Sequence, residues 1–175
     1  MFCYFASAIL YLLGEVLLRS LQSKASEDKG GDFIMTIEVN YLAVLLAGVV
    51  SMILGFLWYS PIVLGKPWMK ERGFTAESMK KAQKEMGKLY GLSFVVSLVT
   101  AYVLSHVMTL SVNFFQYDAL TAGFSTAFFM WLGFVMPVQL TGTIFSDKKN
   151  WKLLAIDTGY QLVSLIGMVV VLALL

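Results

Sequence analysis

Asp157 is the residue in this sequence best suited to chemistry, because it is a carboxylate inside a long apolar segment, residues 151–175. A carboxylate costs about 2.5 to 3.5 kcal/mol at the centre of a membrane helix, whereas each Leu, Ile, Val or Met returns about 0.3 to 0.6 kcal/mol. With 14 such apolar residues, the segment inserts even if the carboxylate is unpaired. At 1.5 Å per residue, Asp157 lies about 9 Å from the start of the helix.

Polar and small side chains share the helix face of Asp157. Tyr160, Gln161, Ser164 and Gly167 follow it at helical spacing, which predicts a face turned into a bundle. Residues of two other apolar segments are expected at a similar depth. The predicted intramembrane polar site consists of Asp157, Tyr160, Gln161, Ser164, Gln139 and Tyr59.

Two interpretations of this site are open. In the first, Asp157 is a proton or cation site of a small transport pathway, since ionisable residues inside membranes mark such pathways. In the second, Asp157 is a hydrogen-bond hub that holds helices together. An enzyme ranks last, because the sequence offers no nucleophile with its base and no second carboxylate nearby.

His106 is a weaker candidate. At about sixteen residues into its own helix it lies about 24 Å from the inner end, too far from Asp157 to form a pair with it. A lone histidine at this depth is more typical of a satisfied structural residue than of a proton relay. With one cysteine, Cys3, and one histidine in the chain, we expect no metal site and no cofactor.

Composition predicts the elements that position these residues. The 175 residues are 58% hydrophobic and 14% charged, far from the roughly 25% charged residues of soluble domains. At about 20 residues per crossing, apolar segments at 39–60, 90–110, 118–143 and 151–175 predict an all-α polytopic transmembrane bundle of four core helices. Phe2 to Leu21 is apolar enough to form a further, N-terminal transmembrane helix.

Basic residues predict the orientation of the bundle. Ten of the 13 Lys and Arg residues fall in loop 61–89 and at 144–152, and the 111–118 linker has none. The positive-inside rule therefore places loops 61–89 and 144–151 in the cytoplasm and the C-terminus outside.

The basic loop also suggests partners. Thr75 can cap a short amphipathic helix through Lys88, which we expect to lie on the inner leaflet. Residues 66–88 would then offer a site for anionic lipid or an acidic protein. Stripes of small residues predict close helix packing and a homo-oligomer, and no feature points to nucleic acid.

Residues 1–34 have two interpretations. They form either an N-terminal helix with a polar linker or upstream DNA read as protein. The second follows from Lys29, Gly30 and Gly31, whose codons can spell a ribosome-binding sequence shortly before Met35. The domain that contains the bundle is residues 35–175 in either case.

Two short motifs carry a family resemblance. Residues 55–61 (Gly-Phe-Leu-Trp-Tyr-Ser-Pro) are followed by 65–70 (Gly-Lys-Pro-Trp-Met-Lys), and the segments at 131–135 and 151–160 fit as well. Residues 35–175 thus resemble the bacterial membrane family catalogued as domain of unknown function 1761. The resemblance implies a four-helix fold in the bacterial inner membrane and no established activity. The residues that carry the motif pair are Trp58, Tyr59, Ser60, Pro61, Gly65, Lys66 and Trp68.

Two functions follow as hypotheses. The first is a non-enzymatic membrane protein that transports a small solute or a proton through the Asp157 site. The alternative is a membrane scaffold or accessory subunit that acts through the basic cytoplasmic loop.

Overall fold

The computed structural model describes residues 39–175, apart from the side chains at 76, 79, 81 and 82. The predicted N-terminal helix and the question of the start at Met35 lie outside these residues. The described part is helical throughout, with no strand. Its elements are α1 Tyr41–Trp58, α2 Gly65–Glu71, α3 Ala76–Phe115, α4 Ala119–Met130, a π-helical segment Trp131–Val135, α5 Met136–Ile144 and α6 Trp151–Leu174.

Four of these helical stretches are long and apolar enough to cross a membrane. They are Tyr41–Trp58, Gln83–Phe115, Ala119–Ile144 and Trp151–Leu174. The predicted all-α fold with four membrane-spanning helices is therefore confirmed.

Each long helix begins at a side chain that caps it. The Asn40, Thr75, Asp118 and Asn150 side chains accept hydrogen bonds from backbone N–H groups of the first helical turn. These bonds satisfy donors that have no partner within the helix. At Asp118 the side-chain hydrogen bond to Thr121, with the backbone bond to the same residue, lowers the pKa of the carboxyl.

Helix α3 differs from the prediction of a short helix followed by a separate span from Tyr90. It runs for 40 residues without interruption, from Ala76 to Phe115, a length of about 60 Å. No proline or capping residue separates the polar part from the apolar part, so backbone hydrogen bonding continues through the change in polarity. The segment 61–89 is thus largely helical, made of α2 and the start of α3.

Pro137 produces a local change in helix type. Residues Trp131–Val135 form a π-helical turn, in which the Met136 N–H donates to the Trp131 carbonyl oxygen, five residues back. Proline lacks an N–H group and its ring crowds the carbonyl four residues earlier. The wider turn accommodates both effects without breaking the span.

Small residues bring the helices close together. Ala47 of α1, Ala101 of α3 and Ala127 of α4 are fully buried in the core, beside Met168 and Val169 of α6. Helix α1 packs on α6 and α3, and α4 packs on the same two helices. The small-residue stripes of α1 and α3 therefore serve contacts within this chain.

Candidate functional site

The Asp157 carboxylate accepts hydrogen bonds from three side chains. Tyr59 Oη and Trp68 Nε1 donate to Oδ1 at 3.1 and 3.0 Å. Arg72 donates to Oδ2 at 2.9 Å and forms an ion pair with it. The Asp157 side chain is 15% exposed and that of Arg72 is 47% exposed. We call these four residues the Asp157 cluster.

A tight turn after α1 positions the donors. The Gly65 N–H donates to the Ser60 carbonyl oxygen at 2.8 Å, and the Leu64 N–H to the Trp58 carbonyl oxygen at 3.1 Å. A Cβ atom on Gly65 would overlap with the backbone of Tyr59 and Ser60, so only glycine fits at this position. The turn folds α2 back against α6, and Trp68 and Arg72 thereby reach Asp157.

Three tryptophan indoles donate to three consecutive residues of α6. Trp58 Nε1 donates to the Ile156 carbonyl oxygen at 3.2 Å, and Trp131 Nε1 to that of Thr158 at 2.8 Å. Between them lies the Trp68 bond to the Asp157 carboxylate. The indoles come from α1, α2 and the π-helical turn, so this turn of α6 joins all three elements.

Aromatic rings cover the cluster. The Tyr59 ring lies 5.1 Å from both the Trp68 and the Tyr160 ring, measured between centroids. The Arg72 guanidinium lies 5.4 Å from the Trp68 ring centre. Burial, and next the negative charge of Asp157, raise the pKa of Tyr59 well above its ordinary value. Tyr59 is therefore a hydrogen-bond donor at any physiological pH.

Two further predicted residues lie deeper, between α6 and α1. Ser164 Oγ lies 2.7 Å from Ser51 Oγ, with both side chains buried. Tyr160 Oη donates to the Ser51 carbonyl oxygen at 3.4 Å. Gly55 makes room for the Tyr160 ring. Asp157, Tyr160 and Ser164 thus share one face of α6, turned toward α1.

The remaining candidates stand apart from this arrangement. Gln139 and Gln161 are half-buried, and neither side chain forms a hydrogen bond with another described residue. His106 lies within hydrogen-bond distance of the Tyr102 carbonyl oxygen on its own helix, at 2.9 Å, and its ring packs against the Tyr102 ring. Pro61 and Lys66 of the motif are exposed.

Arg72 is the cluster member that sequence reasoning did not single out. In the sequence, Arg72 is one of the basic residues of loop 61–89 that predict the orientation of the bundle. The available clue was the carboxylate itself, since ionised side chains within membrane segments commonly pair with an opposite charge even where insertion does not require it. Arg72 is the sole arginine among residues 39–175.

A second contact joins α2 to the start of α6. Asn150 Nδ2 donates to Glu71 Oε2 at 2.8 Å, and Lys152 Nζ lies 4.0 Å from Glu71 Oε1. Within residues 39–175, no group of three or more His, Cys, Asp or Glu side chains could hold a metal ion. The contacts of Asp157 attach the segment that contains α2 to α6 through a carboxylate.

Comparisons with known proteins agree with the motif resemblance. The model of the family described as "Protein of unknown function (DUF1761)" matches residues 42–173. No curated protein and no solved structure matches the chain. The matched range includes every residue of the Asp157 cluster and all four membrane-spanning helices, apart from the first residue of α1 and the last residue of α6. The chain therefore belongs to the DUF1761 family of proteins of unknown function.

Proposed function

We propose that this protein is a non-catalytic membrane scaffold or accessory subunit that presents a rigid basic surface to an acidic partner protein. The observation that carries the proposal is the Asp157 cluster. Both carboxylate oxygens are engaged, and their donors lie on α2, in the turn before it and at the residue that directly follows it. The carboxylate thus holds a connecting segment in one position, which is what a docking surface requires.

Lysines surround the segment that the cluster holds. The Glu71 contacts with Asn150 and Lys152 bring the α2 region beside the connection between α5 and α6. The lysines of both regions are exposed. We call the following residues the basic surface: Lys66, Lys70, Lys148, Lys149 and Lys152.

The positive-inside rule supports a cytoplasmic position for this surface, with the C-terminus outside. Because the family resemblance is to bacterial proteins, we place the protein in the bacterial inner membrane. Lysines in this position attract acidic partners through an electrostatic term that falls with ionic strength.

Co-purification from native membranes tests the scaffold role. A variant with Lys66, Lys70, Lys148 and Lys149 replaced by glutamine should lose an acidic partner that the wild type retains. Asp157→Ala, which releases α2, should lose it as well. The matched control replaces the four lysines of α3, Lys80, Lys81, Lys84 and Lys88, by glutamine and should retain the partner. Equal retention by all variants would contradict the proposal.

Transport through the Asp157 site is the second candidate function. It requires the carboxylate to exchange its partners, and Arg72, being half-exposed, is the partner able to leave. Two grooves among the described residues, one beside Ser111 and Thr126 and one beside Phe56 and Tyr90, are lined by no residue of the Asp157 cluster. Their position favours the scaffold over the transporter.

A flux measurement separates the two functions. The full chain and its Asp157→Asn form are reconstituted at matched incorporation, and pH-driven proton and cation flux is recorded. A scaffold predicts no flux in either protein. Flux that disappears with the carboxylate would establish transport and overturn the scaffold proposal.

A further inference from the structure

Helix α3 extends beyond the inner end of the bundle. Tyr90 lines a groove with Phe56 and Leu57, so it lies level with the end of α1. Residues 76–89 continue the helix for about 20 Å beyond that level. The described side chains at 83–93 are all exposed. We call residues 76–89 the α3 extension.

Two lysines of the extension stand directly beyond the lipid-facing side of α3. Lys84, Lys88, Gly91, Val95 and Val99 follow one another at intervals of four, three, four and four residues, which places them on one helix face. The Val95 and Val99 side chains are 55% and 58% exposed. The stripe therefore changes from apolar to basic near the level of Tyr90.

The distances match the thickness of a lipid headgroup layer. Along the helix axis, Lys88 lies about 3 Å and Lys84 about 9 Å beyond Tyr90. The headgroup region extends about 5 to 8 Å beyond the hydrocarbon on each side of a bilayer. Both ammonium groups can thus reach the phosphates of the adjoining leaflet, since lysine side chains are long and flexible.

Gly91 leaves a gap in this stripe. A Cβ atom on Gly91 would meet no atom within 4 Å, and the residue is exposed. Glycine in an exposed helix interior costs about 1 kcal/mol relative to alanine. Gly91 lies about 5 Å along the helix axis from Lys88, on the side of the bundle, so a lipid can approach the backbone there between Lys88 and the two valines.

The charges on the extension leave both lysines available. No described carboxylate lies within 4.0 Å of either ammonium group. Glu85 is on the neighbouring face. Glu77 shares the stripe but lies about 10 Å farther from the bundle than Lys84.

We propose that this stripe is a binding site for one anionic phospholipid of the adjoining leaflet. The phosphate is held by Lys84 and Lys88, the glycerol part of the lipid lies at the gap left by Gly91, and an acyl chain lies along Val95 and Val99. The two lysines favour an anionic headgroup because of its opposite charge. The stripe continues into the lipid-facing side of α3, which favours a lipid over an acidic protein. The site is separate from the basic surface.

Titration of the full chain with phosphatidylglycerol in detergent, read by native mass spectrometry, tests the site. Phosphatidylcholine is the comparison lipid. Lys84→Gln with Lys88→Gln should weaken phosphatidylglycerol binding about 30-fold, the equivalent of about 1 kcal/mol for each lysine. Lys148→Gln with Lys149→Gln removes the same charge on the predicted same side of the membrane and should leave binding within twofold of the wild type.

Gly91→Leu tests the gap with all charges retained. It should weaken phosphatidylglycerol binding at least fivefold, whereas Gly142→Leu, at another open helical glycine, should not. Equal weakening by the two lysine pairs would show diffuse attraction and overturn the proposal. Unchanged lipid binding in the Lys84 and Lys88 variant would also overturn the proposal. The same holds if that variant keeps its lipid binding and loses an acidic partner protein.

Discussion

At the residue scale, the Asp157 cluster is a carboxylate surrounded by donors. Arg72 supplies the opposite charge, and Tyr59 and Trp68 supply two neutral hydrogen bonds. A carboxylate that is paired and hydrogen-bonded no longer carries the full penalty of burial. The same hydrogen bonds attach α2 to α6. The donors that stabilise the Asp157 carboxylate thus also hold the two helices together.

Substitutions of Asp157 should therefore be graded. Asp157→Asn keeps an acceptor for Tyr59 and Trp68 and loses an ion pair with a half-exposed partner, which should cost about 1 kcal/mol. Asp157→Ala leaves the Tyr59 and Trp68 donors without an acceptor and also removes the ion pair with Arg72, so it should cost about 2 to 4 kcal/mol. Unfolding in mixed micelles measures both. Arg72→Gln leaves the largely buried carboxylate without its opposite charge and should therefore cost more than Asp157→Asn. Equal stability of all three variants would contradict a bonding role.

Gly65 is the second residue on which the cluster depends. Gly65→Ala places a methyl group against the carbonyl oxygen of Ser60, at 2.7 Å. Relieving such an overlap typically costs about 1 to 3 kcal/mol. Because the turn must open, the fluorescence of Trp68 should shift toward that of exposed indole, provided that the other three tryptophans are replaced by phenylalanine. Gly142→Ala, in open space on a helix, should raise stability by up to about 1 kcal/mol and should leave the emission unchanged.

At the element scale, single polar side chains cap the helix ends and form hydrogen bonds between helices. The Asp118 cap is the pH-dependent one. The bonds to Thr121 lower the pKa of the Asp118 carboxyl in the folded protein. The ionised cap therefore stabilises the start of α4 at any pH above the ordinary carboxyl pKa of about 3.9. That contribution is lost as the pH falls through the lower folded value.

Hydrogen exchange at Thr121 reports this cap. Between pH 6 and pH 3 the protection factor of the Thr121 amide, corrected for intrinsic exchange, should fall as Asp118 becomes protonated. Asp118→Asn retains an uncharged cap and should show no such fall. An equal fall in both proteins would assign the effect to another group.

The contact between α1 and α6 depends on the hydroxyl pair of Ser51 and Ser164, 2.7 Å apart. A double-mutant cycle with Ser51→Ala and Ser164→Ala should give a coupling free energy of about 0.6 kcal/mol, the average for hydrogen bonds between membrane helices. Unfolding in mixed micelles measures it. Ser93→Ala, at an exposed position of α3, should show no coupling with Ser51→Ala.

At the scale of the whole molecule, the four spans place both lysine-rich regions at one end of the bundle. Labelling with a membrane-impermeant maleimide checks this arrangement, in a Cys3→Ser background. Cysteines at Lys80 and Lys148 should react from the same side of the membrane. A cysteine at Tyr117, between α3 and α4, should react from the other side. Reaction of Lys80→Cys and Lys148→Cys from opposite sides would contradict a four-span arrangement.

The sequence by itself determined much of the fold. Apolar length gave the four spans, and capping residues such as Thr75 and Asp118 mark where helices begin. These features depend on residues close together in the chain, where helix propensity, caps and hydrophobic length act directly. The same reasoning failed at Tyr90, because a change in polarity does not itself end a helix.

Only the tertiary structure decided how the site is assembled. Arg72 and Asp157 are 85 residues apart in sequence, and Tyr59 and Asp157 are 98 apart. Helical spacing predicts which residues share a face with Asp157, but it does not predict which side chain a turn brings to that face from another element. Gln139 and Gln161 matched in depth and polarity, and yet neither side chain forms a hydrogen bond with the cluster. The depth of a side chain in the membrane is one of its three coordinates, whereas a hydrogen bond depends on all three.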